Sequence, residues 1–447
     1  MLSFALALAL QTPAETPSKT VWTQADLERV SDEIRVQVED LRGMKFKAPV
    51  AVRLTDKKGF FEYALSRQEK TESPAKQSRD ETTAKLLGLI PPSMDYQAEM
   101  LKILEEQVGG FYDPSSNTFF LMETFTGGVA KIILAHELTH ALDDQYFDID
   151  GTLAKCGEDT DATIAFQAVV EGSGTGLMNQ WFLKHRKEVT PSDLEAAQNL
   201  GADILAEAPP YMWKPLLAVY LTGDSFLARR SGLNALMKAA TTADVETAFK
   251  APPRSSEQIL HSKKYWDPDH KDEPLHVSVS ADALPVDWQV AGVDTLGELY
   301  LGLLTTPLAQ RKGLDLSNPF SVLAVEYTNE AAEGWGGDRL VLLRRGDDSL
   351  LQLVTAWDTK KDADEFAAAL GESQKSPLIP VFSGPERTVE AGWVAGSTPT
   401  DVAISRETSA DGKVALVVLR VYSLAEPMPA EELAKLRVPF SVTTPTK

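Results

Sequence analysis

Two histidines four residues apart, with a glutamate beside the first, are the residues of this 447-residue sequence best suited to chemistry: His136-Glu137-Leu138-Thr139-His140. The H-E-x-x-H pattern does chemistry only on a helix. At about 100° per residue, positions 136 and 140 lie roughly 40° apart and one turn apart in height, so both imidazoles reach one metal ion. Glu137 falls within roughly 100° of both, close enough to handle a proton on a water held by that ion. No Pro or Gly interrupts Ala130 to Gln145, and the triplet sits in the apolar run KIILAHELTHAL. Burying two imidazoles and a carboxylate there without a partner is costly. One Zn2+ per chain relieves that cost; the alternative is a pair of core histidines.

A catalytic zinc needs a third protein ligand and one open position for water. No histidine stands six residues after His140, where the chain has Tyr146. The best third ligand is Glu171 in ATIAFQAVVEGSGTG, reachable from a second helix, with Gly172, Gly174 and Gly176 leaving room for close approach. The alternative is a buried Glu171 paired with Arg229 or Arg230. Asp143 lies on nearly the same face as the two histidines and is a candidate to hold an imidazole N–H; the alternative is a solvated acid near the helix end. GSGTG lacks a following Lys and a preceding strand, so it is not a phosphate loop.

HELTHALDDQ followed by VVEG resembles the Glu-type zincins, the gluzincin branch of zinc metallopeptidases. The wider segments GGFYDPSSNTFFL, AHELTHALDDQYFDI, AVVEGSGT and PPRSSEQILHSKKY are similar to a group of bacterial secreted zinc metallopeptidases. The resemblance implies His136, His140 and Glu171 as zinc ligands and Glu137 as catalytic base. It implies that Thr118 to Met122, with Thr118, Phe119, Phe120 and Leu121, is the edge strand receiving an extended peptide. Gluzincins often use a downstream Tyr or His to steady the oxyanion. His261 and Tyr265 fit that role by position, although a lone His at a helix end is usually solvated or satisfied by the helix dipole. The sequence departs from the best-known members at Thr175, where they carry an Asp. The expected function is zinc-dependent hydrolysis of peptide bonds in a peptide or protein substrate. Two alternatives are a catalytically degenerate zinc-site scaffold that binds partners and a non-peptidase zinc hydrolase.

The elements that must position these residues are read from periodicity and turn signals. Thr23 to Arg42, Met94 to Gln107, Ala130 to Asp143 and Asp161 to His185 read as helices. Val50 to Leu54 reads as a strand, and Gly109 to Glu123 as a hairpin around Asp113-Pro114 and Ser116-Asn117. Gln68 to Asp80 is charged and reads as a mobile loop. Ser255-x-x-Gln258 resembles a capping box opening a short helix. After about Leu275 strands alternate with few helices: Leu340–Leu343, Leu350–Ala356, Val389–Val394, Val402–Arg406 and Val414–Val421, with a helix over Asp362–Leu370.

The expected fold is α+β: a largely helical zincin-like domain over 20–278 with a small sheet, then a C-terminal α+β domain over 279–447 with an antiparallel sheet. Residues 1–19 read as signal peptide and tail, since Met1 to Leu10 is MLSFALALAL with Ala7 and Ala9 at small-residue positions. That implies secretion or a periplasmic location. The net charge of −21 repels phosphate backbones, which disfavours nucleic acid as a partner. No apolar run reaches the roughly 20 residues that span a bilayer. The single cysteine, Cys156, can form neither an intramolecular disulfide nor a cysteine cage for zinc.

Overall fold

The computed structural model describes residues 21–444 except 72, 194–201, 231–238, 281–283, 285–286, 315–320, 375–385, 390–391, 396–399, 426–427, 430–431 and 433–435. The segment expected to be a signal peptide lies outside the described residues. The fold is mixed α+β with antiparallel sheets. No described helix is long and apolar enough to cross a membrane.

The N-terminal half opens with helix α1 (Gln24–Arg42), started by a reciprocal capping box between Thr23 and Asp26 and ended by Gly43 at φ 71°. Its Leu27, Val30, Ile34 and Val38 recur at helical spacing and are buried. Strand β1 (Ala51–Thr55) and helices α2 (Lys57–Thr71), α3 (Pro74–Leu86) and α4 (Tyr96–Gln107) follow. The stretch Gln68–Asp80, expected to be a loop, is helical on both sides of a short break. Ser73 accepts from the Lys76 N–H with Pro74 in the first turn, and Lys76–Asp80 and Lys85–Glu81 pairs line α3. Arg79 is buried against Glu158 and Asp80, a tertiary anchor that composition does not reveal.

The hairpin forms as read, from β2 (Gly110–Asp113) and β3 (Thr118–Met122). β3, however, is not an edge strand. It is the centre of a three-stranded sheet ordered β1-β3-β2, paired parallel to β1 and antiparallel to β2. The parallel partner comes from more than 60 residues upstream and leaves no local signal. One face of this sheet packs on α1 and on helix α5 (Gly127–Phe147); the other carries Phe111, Phe120 and Met122 under α2 and α4. Helix α6 (Ile149–Cys156) leads into helix α7 (Thr160–His185), which packs most extensively against the helix Pro210–Ala228.

The C-terminal half is a seven-stranded antiparallel sheet ordered β5-β6-β7-β11-β10-β9-β8. Its strands are β5 (Gln289–Asp294), β6 (Trp335–Arg345), β7 (Asp348–Trp357), β8 (Glu386–Val389), β9 (Gly392–Ala395), β10 (Thr400–Thr408) and β11 (Ala415–Ser423). The single strand expected over Val389–Val394 is two strands, β8 and β9, paired antiparallel. A two-stranded sheet of β4 (His276–Val279) and β12 (Phe440–Thr443) packs on Val354, Ala356, Leu416 and Val418. The boundary expected at 278/279 falls inside β4. One apolar cluster runs from Phe166 and Trp213 of the first half through Leu301 to Leu353 and Phe366 of the second, so the halves share a core.

Candidate metal centre

α5 is buried on nearly every side from Gly128 to Asp143, which makes its polar residues expensive to place. Thr139 settles its hydroxyl on the Ala135 carbonyl at 2.7 Å. Asp143 receives the Arg42 guanidinium at 2.6 Å and the Ser173 hydroxyl at 2.5 Å. Its carboxylate therefore ties α5 to α1 and α7; it does not hold an imidazole. What remains is His136, Glu137 and His140, all with no accessible surface. Both imidazole Nδ1 atoms and both Glu137 carboxylate oxygens are buried without a hydrogen-bond partner among the described residues.

Helix α7 brings the third acid. Asp159 caps it by accepting from the Ala162 N–H, and the 26-residue helix carries Glu171 to the centre. Its glycines divide the packing. A Cβ on Gly174 would stand 2.7 Å from His136 Cε1 and 2.8 Å from His140 Cε1, so the bare backbone is what lets both rings lie against α7. A Cβ on Gly172 would meet the Gly223 backbone at 2.3 Å, so that glycine lets the helix Pro210–Ala228 close in from another side. Each helical glycine costs about 1 kcal/mol relative to Ala; the close approach is what offsets it.

The donor atoms converge. His136 Nε2 lies 2.8 Å from His140 Nε2 and 3.1 Å from Glu171 Oε2, and His140 Nε2 lies 3.2 Å from Glu171 Oε2. A Glu137 carboxylate oxygen stands within 4.8 Å of a ring nitrogen of each histidine. Bonds of about 2.0–2.1 Å in a tetrahedral zinc site separate the ligand atoms by about 3.4 Å, close to this triangle. Two neutral nitrogens and one carboxylate are also the donor set of His2Glu catalytic zinc sites. The residues thus fit a zinc ion. Without one, burial opposes charge on Glu171, but the His140 and His136 imidazoles outweigh it and hold the carboxyl down at about 2. Burial likewise works against charge on His140, and Glu171 overcomes it to raise the imidazole pKa.

The structure leaves the other expected residues elsewhere. His261, at the end of the short helix Ser256–Leu260, bonds through Nε2 to Glu298 Oε1 at 2.8 Å. The Tyr265 hydroxyl donates to the Ala251 carbonyl at 2.6 Å, and its ring packs on Phe226 and Trp266. No described hydrogen bond joins either to the histidines. The alternative pairing of Glu171 with Arg229 or Arg230 is not found among the described residues; Arg229 pairs with Asp244. One residue with no sequence signal comes near: Tyr220, from the helix Pro210–Ala228, stacks on the His136 ring at 5.9 Å between centroids. A second acidic group, Glu257, Asp272 and Asp358, is closed by the Lys264 ammonium, whose nitrogen lies 2.5, 2.8 and 3.1 Å from the three carboxylates.

Strand β2, which packs on α5, is the other outer strand of the sheet, unpaired on one side and buried along its length. The Met122 N–H donates to the Gly109 carbonyl, so in the β2–β3 register Phe111 and Asp113 also face β3, while the backbone groups of Gly110 and Tyr112 face away. No described residue hydrogen-bonds to those groups, although Gly110 and Tyr112 are buried. The opposite edge, on β1, is closed: the Gln24 carboxamide donates to the Val52 carbonyl and accepts from the Leu54 N–H.

Residues 288–424, which contain all seven strands of the larger sheet, are similar to a family described as "Domain of unknown function (DUF8575)". No curated protein and no solved structure matches the chain.

Proposed function

We propose that the chain is a zinc-dependent peptidase whose ion is held by His136, His140 and Glu171. The observation that carries this reading is the buried convergence of His136 Nε2, His140 Nε2 and Glu171 Oε2 within 3.2 Å of one another, beside a Glu137 carboxylate with no partner. A purely structural site has no use for that fourth group. A buried, unpaired carboxylate is costly, and a water at the centre would satisfy it.

Zinc bound here supplies Lewis-acid polarisation of a carbonyl and of a water. Glu137 accepts the proton of the attacking water on its carboxylate and returns it to the leaving amine nitrogen. Glu171 contributes negative charge that offsets the cation in a buried place. Gly174 keeps both imidazoles against α7, and the Arg42–Asp143–Ser173 contacts hold α5 and α7 in register. An extended peptide adds to the unpaired edge of β2 through the Gly110 and Tyr112 backbone, which is buried in this structure and has to be uncovered first; such pairing gives main-chain affinity with little side-chain preference. This replaces β3, expected as the receiving strand and already paired on both sides.

Metal content and turnover test the reading together. Purified protein should carry one zinc per chain by elemental analysis and cleave a denatured protein such as casein. Glu137→Gln should keep the zinc and lose the cleavage. Stoichiometric zinc with no cleavage by the unaltered chain would favour the binding scaffold; zinc-free protein would remove the reading altogether. The apolar run Met1–Leu10 supports export, and a fusion of the N-terminal segment to a reporter active only outside the cytoplasm checks it.

A further inference from the structure

We propose that the cavity between α6, α7 and the C-terminal sheet binds an apolar amino acid as its zwitterion, with Asp161 taking the ammonium and Arg254 and Arg339 the carboxylate. The cavity has a volume of about 490 Å³, within the range of about 300–1,000 Å³ that small-ligand sites occupy. It is separate from the metal centre: Asp161 precedes Glu171 on α7, about 15 Å back along the helix axis. Phe166 of α7, Phe249 and Trp335 at the start of β6 give it apolar walls. The exposed Lys155 and Arg254 stand at its rim, and Asp161 and Asp338 lie buried in its lining.

Each end of the zwitterion meets a group that the free protein leaves unsatisfied. Asp161 Oδ1 accepts the Ser256 N–H at 2.9 Å, whereas Oδ2 is buried with no hydrogen-bond partner among the described residues. Burial, working against the Ser256 hydrogen bonds, holds this carboxyl well above the usual carboxylate range. An unpaired buried carboxyl is costly, and an ammonium supplies both the missing donor and the missing charge. Asp338 is already satisfied by the Leu296 and Gly297 N–H groups and the Trp335 indole. On the cationic side, Lys155, Arg254 and Arg339 form no ion pair among the described residues, although the chain holds 65 acidic residues against 44 basic ones. Arg339 has a single hydrogen bond of 3.3 Å, to the Thr295 hydroxyl. Lys250, the remaining cation of the cavity, is spent on Glu246. Asp159 lines the cavity too, but its Oδ1 caps α7 through the Ala162 N–H and it pairs with neither guanidinium. Free guanidinium groups are forks that match a carboxylate. Opposite charges on one aromatic-walled cavity select a molecule that carries both charges and an apolar side chain.

Calorimetry on the full chain tests the assignment with L-phenylalanine and L-leucine, each expected to bind at one site per chain. Two analogues remove one charge at a time: 3-phenylpropionate lacks the ammonium and phenethylamine lacks the carboxylate. Each should bind at least about 10-fold more weakly than phenylalanine, as for the loss of one charged hydrogen bond. Asp161→Asn keeps an oxygen for the Ser256 N–H, and Arg254→Ala alters an exposed side chain, so both variants should keep the thermal midpoint of the ligand-free chain. Either substitution should weaken phenylalanine binding by about 10-fold or more. Should Asp161→Asn fail to fold, Arg254→Ala and the two analogues decide. Absence of binding by both amino acids at millimolar concentration overturns the proposal. Binding that neither variant weakens overturns it as well, by placing the ligand elsewhere. Equally tight binding of 3-phenylpropionate overturns it too, by leaving a site for anions only. None of these outcomes depends on the metal centre.

Discussion

Gly174→Ala asks how tightly α7 holds the two imidazoles. The added methyl would lie 2.7 Å from His136 Cε1, 2.8 Å from His140 Cε1 and 3.0 Å from His136 Nδ1. Carbon atoms settle at about 3.5 Å, so the two carbon contacts are short by about 0.8 and 0.7 Å. α7 cannot back away cheaply, since Ser173 bonds Asp143 and Gly172 is already against the Gly223 backbone. The imidazoles must move instead, by more than the roughly 0.5 Å that a preorganised site tolerates. Overpacking of this kind costs about 1–3 kcal/mol in stability, so the chain still folds. Disturbing the groups that orient metal ligands weakens binding by about 10–100-fold, and that is the expected loss in zinc affinity, read by competition with a chelating dye. Gly176→Ala is the control: its methyl would meet only Asp224 Oδ1, at 2.9 Å. A Gly174→Ala protein that folds and binds zinc within three-fold of the unaltered chain would refute the packing argument.

Glu171→Ala should fold yet bind zinc far more weakly, because two imidazoles leave a doubly charged ion under-coordinated; unchanged affinity by the same dye would exclude Glu171 as a ligand. Arg42→Ala should lower stability by about 3–5 kcal/mol in urea denaturation, since it strands the buried Asp143 carboxylate, and the added loss should vanish in an Asp143→Asn background. Burial lifts the Asp224 carboxyl to about 7, with the nearby Asn179 amide opposing the rise. Its unfolded value is about 3.9, so the folded chain binds the extra proton between these values. The stability that this proton contributes is full below about pH 4 and lost as the pH rises through about 7. Asp224→Asn should therefore gain on the unaltered chain from pH 5 to pH 8; a constant difference in urea midpoint would contradict this.

The centre was legible because its two helices speak locally. An apolar run with no Pro or Gly forms α5, and a capped apolar run forms α7, so the identity and convergence of His136, Glu137, His140 and Glu171 follow from spacing plus the cost of burial. The errors all lie at long range. Asp143 answers to Arg42, 101 residues earlier; His261 answers to Glu298, across the shared core. β3 looks like the outer strand of a hairpin until β1 pairs with it from upstream. Nor does any pattern announce Tyr220, whose place on the His136 ring depends on the packing of helices distant in sequence. Polarity misled in α3, where charged residues face partners as well as water.

α7 is seated on the C-terminal sheet before it ever reaches the centre. The Thr160 N–H and hydroxyl both bond to Asp294 of β5, and the Asp161 N–H donates to the Thr295 carbonyl. Gln352, in the middle of that sheet, trades two hydrogen bonds with Val438 near the chain end. A cut before β5 would leave the ligand helix without its mooring, and a cut after Ser423 would strip Gln352 of both partners inside the core. Produced alone, the stretch 288–424 should therefore be less stable than within the chain, having lost both the helix it moors and the segment around Val438 that closes its core.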